Sequence, residues 1–387
     1  MKPVQIAENV YWVGGIDWDI RNFHGYLIPR GTTYNAYLII DEKITLIDTV
    51  KHYLADEMLA RISEVVDPSK IDYIVSNHVE MDHSGGLPRL MEAAPQAQIY
   101  TSLNGEKGLK AHYKGNWNYN VMKSGTTLSL GKRSLTFIHT PMVHWPDNMV
   151  CYLQEDKILF SNDAFGQHIA TSERFDDQLS ADIVMEEAAK YYANIVLPYG
   201  KQVEKALELV SALEIDTIAP SHGVIWRSKI KDILSEYRKW STDQTDDKAV
   251  IVYDSMWNST EMIAYAIQNA MEEKGITTRM RNLRTNHISD IMTEVLTAKY
   301  ICVGSPTLNN NMLPTVAAFL TYLKGLAPKK RIGLAFGSYG WGGQSVGMVE
   351  DVLKSMNFDL LEQIRIQYIP DSDQLTEITK KIAMTLK

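Results

Sequence analysis

From Ala249 onward, short apolar runs rich in β-branched residues alternate five times with amphipathic stretches. The runs are 249–254, 277–282, 300–304, 331–336 and 363–369. Helical patterns follow at 260–274, 289–297, 314–323, 345–356 and 373–386. Strands separated by whole helices pair in parallel, because only a crossover returns the chain to the same edge. Five such units in about 139 residues therefore predict a doubly wound parallel sheet. Ligands of that architecture bind at the carboxyl ends of the strands.

The first 248 residues have another rhythm. Strand-like runs at 10–14, 35–40, 44–48, 71–76, 98–101, 134–139, 157–161 and 217–220 are interrupted by helical patterns at 55–65 and 201–213. This mixture predicts two sheets with helices outside them. Residues 231–240 read as a helix and the polar run 241–247 as a linker. The division is thus a domain over 1–245 and a second over 249–387, as expected for 387 residues.

Composition narrows the function. The net charge is −8, and residues 249–387 hold 14 basic against 13 acidic groups, so the acidity lies in the first half. Nucleic acid is a poor partner for that balance. Cys151 and Cys302 are the only cysteines, which excludes a disulfide framework, a CxxC pair and a Cys₄ cluster. No apolar run approaches 18 residues and the N-terminus lacks an apolar signal segment, so no membrane partner is expected and the cytoplasm is the expected location.

The run Asn77-His78-Val79-Glu80-Met81-Asp82-His83-Ser84-Gly85-Gly86 sets four metal-capable side chains within six residues, directly after a strand-like run. His144, Asp163 and His222 each follow a further run. If strand-end loops converge on one rim, four imidazoles and three carboxylates suffice for two ions. Imidazole and carboxylate without thiolate suit iron, zinc or manganese. The three carboxylates favour a redox-active iron pair over zinc alone.

A phosphate cradle is predicted at the first strand–helix turn of the second half, over Ser255, Met256, Trp257, Asn258, Ser259 and Thr260. Two further strand-end loops supply candidate flavin contacts: Pro306, Thr307, Leu308, Asn309 and Asn310, then Ser338, Tyr339, Gly340, Trp341 and Gly342. The glycines permit close backbone approach, and Leu308, Tyr339 and Trp341 offer flat apolar faces. A hydroxyl-rich cradle without a ribose-binding acid favours FMN over a dinucleotide.

The segment His78-Val79-Glu80-Met81-Asp82-His83, with His144, Asp163 and His222, resembles the ligand pattern of the flavodiiron proteins, or A-type flavoproteins. These join a metallo-β-lactamase-like αββα sandwich to a flavodoxin-like domain. Leu46-Ile47-Asp48-Thr49 and Asp82-His83-Ser84-Gly85-Gly86 are similar to the wider superfamily, whose hydrolases read His-x-His-x-Asp-His. Glu80 stands at the second His place, the family's mark of iron replacing zinc. The resemblance implies one iron on His78, Glu80 and His144, a second on Asp82, His83 and His222, and Asp163 as bridge. It also implies His24, His168 and Tyr192, of the Tyr191-Tyr192 pair, as residues near the pocket that handle protons.

The expected activity is reduction of O₂ to water, of NO to N₂O, or both. Flavin and two ferrous ions hold four electrons together, the number O₂ needs, whereas two NO need two. By the same resemblance the chain is of the minimal two-domain class, with rubredoxin or reduced coenzyme F420 as external donor. It also implies a head-to-tail homodimer, or a dimer of such dimers, bringing flavin to the irons. The arginines at 279, 281 and 284 are read as a docking patch for an acidic donor. The rival reading is a zinc-dependent hydrolase with a flavodoxin-like electron-transfer appendage.

Overall fold

The computed structural model describes residues 2–386 and divides into two compact units, Met1–Tyr192 with Lys201–Arg238, and Ala193–Gly200 with Lys239–Lys387.

The first unit is a sandwich of two sheets. One sheet has seven strands in the order Val4–Ala7, Val10–Trp12, Tyr37–Ile39, Thr45–Ile47, Tyr73–Val75, Gln98–Thr101 and Tyr119–Val121. Its first four strands pair antiparallel and the remainder parallel. The other has five, Thr127–Ser129, Ser134–His139, Met149–Leu153, Ile158–Asn162 and Thr217–Pro220, parallel only at the last pairing. Period-two alternation sends Leu135, Phe137, Cys151, Leu153, Ile158 and Phe160 inward, where they meet Val10, Trp12, Tyr37, Ile39, Ile47 and Val75. That dry interlayer fixes the register, since a slip of one residue would expose every one of these side chains.

In the second unit the strands Thr277–Asn282, Asp246–Tyr253, Ala298–Gly304 and Ile332–Tyr339 lie side by side in that order, all parallel. The fifth position is shared by Asp359–Leu360 and Ile364–Gln367, both parallel to Ile332–Tyr339. The strand order 2-1-3-4-5 is the flavodoxin-like winding. Val250, Ile251, Val252, Ile301, Cys302 and Val303 are fully buried, as strands covered on both faces require. The polar connection is shorter than the sequence suggests: the helix Ile230–Ser241 runs on, and the first strand starts at Asp246. No helix among the described residues is long and apolar enough to cross a membrane.

Candidate metal centre and flavin cradle

The metal-capable residues all leave strand ends of the sandwich. After Tyr73–Val75 the chain is pinned by Asp48, which accepts from the Asn77 backbone N–H (2.7 Å) and side-chain amide (3.0 Å). Asp147 then accepts from the Val79 N–H (2.8 Å) and from His78 Nδ1 (2.9 Å). A single helical turn, Met81–Ser84, carries Asp82 and His83, and the Ser84 hydroxyl closes it by donating to the Val79 carbonyl (2.7 Å). His222 donates from Nδ1 to the Thr33 carbonyl (2.8 Å). The next residue, Gly223, has φ +79°, and a Cβ there would stand 2.1 Å from Gln167 Oε1, so only glycine lets the chain turn away. With Nδ1 committed at His78 and His222, each presents Nε2 to the pocket.

Two groups of donors result. His78, Glu80, His144 and Asp163 form one, and Asp82, His83 and His222 the other. In the first, Glu80 Oε2 lies 3.3 Å from both His78 Nε2 and His144 Nε2. In the second, Asp82 Oδ2 lies 3.4 Å from His83 Nε2 and 3.3 Å from His222 Nε2. Asp163 belongs to both. Its Oδ2 lies 3.3 Å from His144 Nε2 and 3.6 Å from His78 Nε2, while its Oδ1 lies 2.9 Å from His83 Nε2 and 3.5 Å from His222 Nε2.

These spacings suit neighbouring ligands of ions held about 2.1 Å from each donor. The orientation agrees. Both oxygens of Asp82 and Asp163, and His83 Nε2, are buried with no hydrogen-bond partner despite this crowding. Lone pairs that crowd without bonding one another fit a shared cation better than an internal polar network. The donor set therefore fits two ions bridged by one carboxylate.

Electrostatics prepares the same exchange. Burial favours neutral acids at Glu80, Asp82 and Asp163, but the facing imidazoles outweigh it and hold all three below the usual carboxylate range. Burial would equally depress the imidazoles. Asp147, Glu80 and Asp163 instead raise His78 to about 10, Asp163 and Glu80 raise His144 to about 10, and Asp82 and Asp163 raise His83 to about 9. Without metal, protons occupy the positions that cations would take.

Around this centre, His24 Nε2 lies 3.1 Å from Glu80 Oε1, with the side chain 73% exposed. His168 is fully buried, its Nδ1 2.8 Å from Thr32 Oγ1 and its ring 4.9 Å from that of His222. Burial holds His168 neutral, well below the usual imidazole range. Tyr191 packs its ring against His168 (5.0 Å) and His222 (5.8 Å), and Tyr192 packs against Tyr237 (5.0 Å). Neighbours on a helix point about 100° apart, and nothing local in the sequence says which faces the pocket. Sequence reading also missed Asp147, whose nearness to His144 in the chain was the available signal.

In the second unit a cavity of about 850 Å³ opens at the carboxyl edge of the parallel sheet. It is lined by Met256, Trp257 and Ser259 from the first loop, by Pro306 to Asn310 from the second and by Ser338 to Gly342 from the third. Ser255, Asn258 and Thr260 belong to the first loop without lining the cavity. Asn258 takes φ +65° and starts the helix Ser259–Glu273, whose first amides have no intrahelical partner. The Ser255 hydroxyl is buried without a partner in the same turn. Gly337 lets strand and loop meet: a Cβ there would lie 2.0 Å from the Ser305 carbonyl. A helix terminus, an unpartnered hydroxyl and an apolar slot of this size fit a phosphate-bearing flavin. Trp257 and Trp341 stand 86% and 93% exposed at its mouth. Tyr368 and Ile369, after the fifth strand, complete the lining; their strand-end position was the overlooked clue.

The three arginines of the patch each have a carboxylate partner. Arg279 and Arg281 both face Glu294, and Arg284 Nε lies 3.2 Å from Asp254 Oδ1.

A family model described as ODP family beta lactamase matches residues 32–223, and one described as Flavodoxin matches 251–381. The chain is 46% identical to a nitric oxide reductase of Moorella thermoacetica, over 99% of this chain and 98% of that one. It is 44% identical to a rubredoxin-oxygen oxidoreductase of Megalodesulfovibrio gigas, over 100% and 99%. Among solved structures, rubredoxin oxygen:oxidoreductase from Desulfovibrio gigas superposes with a TM-score of 0.96 at 43% identity, covering 99% of this chain and 98% of that one. The flavodiiron protein from Giardia intestinalis gives 0.96 at 35%, covering 99% and 96%. A β-lactamase-like sandwich with paired donor groups, a flavodoxin-like winding with its cradle, and likeness along the whole chain lead to one conclusion: the chain belongs to the flavodiiron proteins.

Proposed function

We propose that this protein reduces O₂ to water, NO to N₂O, or both, at a diiron centre supplied with electrons through FMN. The carrying observation is Asp163, whose two oxygens each face a separate group of nitrogen and oxygen donors. The names of the relatives, a nitric oxide reductase and a rubredoxin-oxygen oxidoreductase, support both gases as substrates. When bound, FMN and the iron pair would supply the electrons that reduction of either gas requires.

The assignments are His78, Glu80 and His144 to one iron, and Asp82, His83 and His222 to the other, with Asp163 between. The protein's own part is to orient and to manage protons. Asp147 and the Thr33 carbonyl aim two imidazoles. His24 Nε2, beside Glu80, is placed to hand a proton in from solvent. His168 and Tyr191 wall the second group, His168 as a neutral imidazole. The loops after the first, third and fourth strands of the second unit seat FMN.

Rubredoxin or reduced coenzyme F420 is the proposed electron donor, a head-to-tail homodimer or dimer of dimers the working assembly, and the cytoplasm the location. The zinc-hydrolase reading is the weaker one, because Glu80 replaces a histidine and hydrolysis uses no flavin.

The test is anaerobic reduction of iron- and FMN-loaded protein, followed by separate measurements of O₂ and NO uptake. Consumption of either gas is expected. A reduced, fully loaded protein that consumes neither would overturn the reading. A Glu80→His variant should take up zinc and lose reductase activity.

A further inference from the structure

Behind the metal donors, on the outer face of the five-stranded sheet, lies a further, partly enclosed space of about 20 Å³. The helix Gly200–Ser211 roofs it with Val203, Ala206, Leu207 and Val210, a single stripe at spacings of three and four. Its floor is Val150, Leu159 and Ser161, the strand positions that alternate with the inward-facing Cys151 and Phe160. The remaining wall comes from two loops. Val143 immediately precedes His144, and Ala164 immediately follows Asp163. The chamber is thus separated by one residue of chain from a donor of the first group and from the residue common to both.

Its chemistry is apolar. Val143, Val150, Leu159 and Phe165 are buried aliphatic or aromatic side chains. Three polar side chains reach the wall: Tyr237 Oη accepts from the Phe165 N–H (2.7 Å), the Ser161 hydroxyl donates to the Ala164 carbonyl (2.7 Å), and Thr140 is the third. A water molecule needs two to four polar partners to settle, and cavities lined by apolar groups stay dry and take up apolar guests. The volume is that of one small molecule. A metal site that acts on a sparingly soluble gas gains local concentration from such a chamber, whereas a site for an ionic or sugar substrate gains nothing.

We infer that this chamber, bounded by Val143, Ala164, Phe165 and the Ala206 face of the helix, is a docking site for an apolar diatomic gas on its way to the metal donors. The inference rests on the functional reading above, since it names how that substrate reaches the site. Val143 and Ala164, each next in the chain to a donor, are the wall residues whose thermal movement would open the chamber toward the metal donors.

The test pairs occupancy with kinetics on the loaded, full-length protein. Crystals of the oxidised protein pressurised with krypton should show the noble gas between Val143 and Ala206. An Ala206→Val variant, which fills the space without touching a donor, should lose krypton and raise KM for the gas about 3- to 10-fold. Its kcat at saturating gas, iron content and FMN content should stay at wild-type levels. Leu207→Ala enlarges the chamber and should increase krypton occupancy, which keeps the test alive if Ala206→Val folds poorly. Absence of krypton from both the wild-type and the Leu207→Ala chamber would refute the inference. So would an Ala206→Val protein that excludes krypton while keeping the wild-type KM. A wild-type protein that consumes neither gas would instead refute the functional reading, and krypton would still decide the chamber.

Discussion

The two halves solve the problem of holding a cofactor in opposite ways. The sandwich uses buried, ionised side chains packed 2.9 to 3.6 Å apart, whose mutual charges are balanced before any metal arrives. The wound sheet uses backbone amides at a helix start, one unpartnered hydroxyl and tryptophans standing almost free in solvent. In the first, chemical identity is everything and each substitution leaves a charge stranded. In the second, shape dominates and single side chains matter less. Damage to one half should therefore register in its own cofactor and spare the other.

The sharpest way to break that contrast is Asp163→Asn. Losing the shared carboxylate should cut iron from two to below one per chain and lower kcat about 100-fold or more, with FMN content unchanged. Elemental analysis beside the flavin absorbance decides it; retention of two irons would erase the distinction. Asp147→Asn comes next. It removes the acceptor behind His78 and should weaken iron at the first group by about 10- to 100-fold in a chelator competition. Ser255→Ala probes the other half. It should raise the FMN Kd about 10-fold and leave both irons in place. A loss of iron instead would mean that the halves do not answer separately.

The smallest expected effect is protonic. Near pH 7.5 the metal-free chain holds His78, His83 and His144 protonated, since their values lie at about 10, 9 and 10. Metal loading should therefore release about three protons per chain, measurable by calorimetry in buffers of different ionisation enthalpy. These imidazoles are raised above their unfolded values. Their stabilising contribution is complete below about pH 6.5 and is lost as pH climbs through 9 to 10. Tm of metal-free protein should fall over that window, and Tm of loaded protein should not.

The contrast also explains what could be read from the sequence. All seven metal candidates are side chains with distinctive chemistry, and the structure gathers each of them. The winding was legible because five strand–helix repeats admit few topologies. What escaped was direction and tertiary company. Tyr191 and Tyr192 are chemically equal, and only packing makes one of them face His222. Asp147 needed the knowledge that its loop folds under His78. Tyr368 and Ile369 sit in no recognisable motif and join the flavin slot solely because the fifth strand ends there. The partners of the basic cluster were equally hidden from the sequence: Glu294 and Asp254 pair with its arginines only through the fold.

Asp163 carries one more implication. An anion whose two oxygens face separate donor groups ties those groups together, so what fills one changes the charge that the other meets. Reconstitution with limiting iron should then depart from independent, statistical filling of the two groups, a coupling that neither group would show alone.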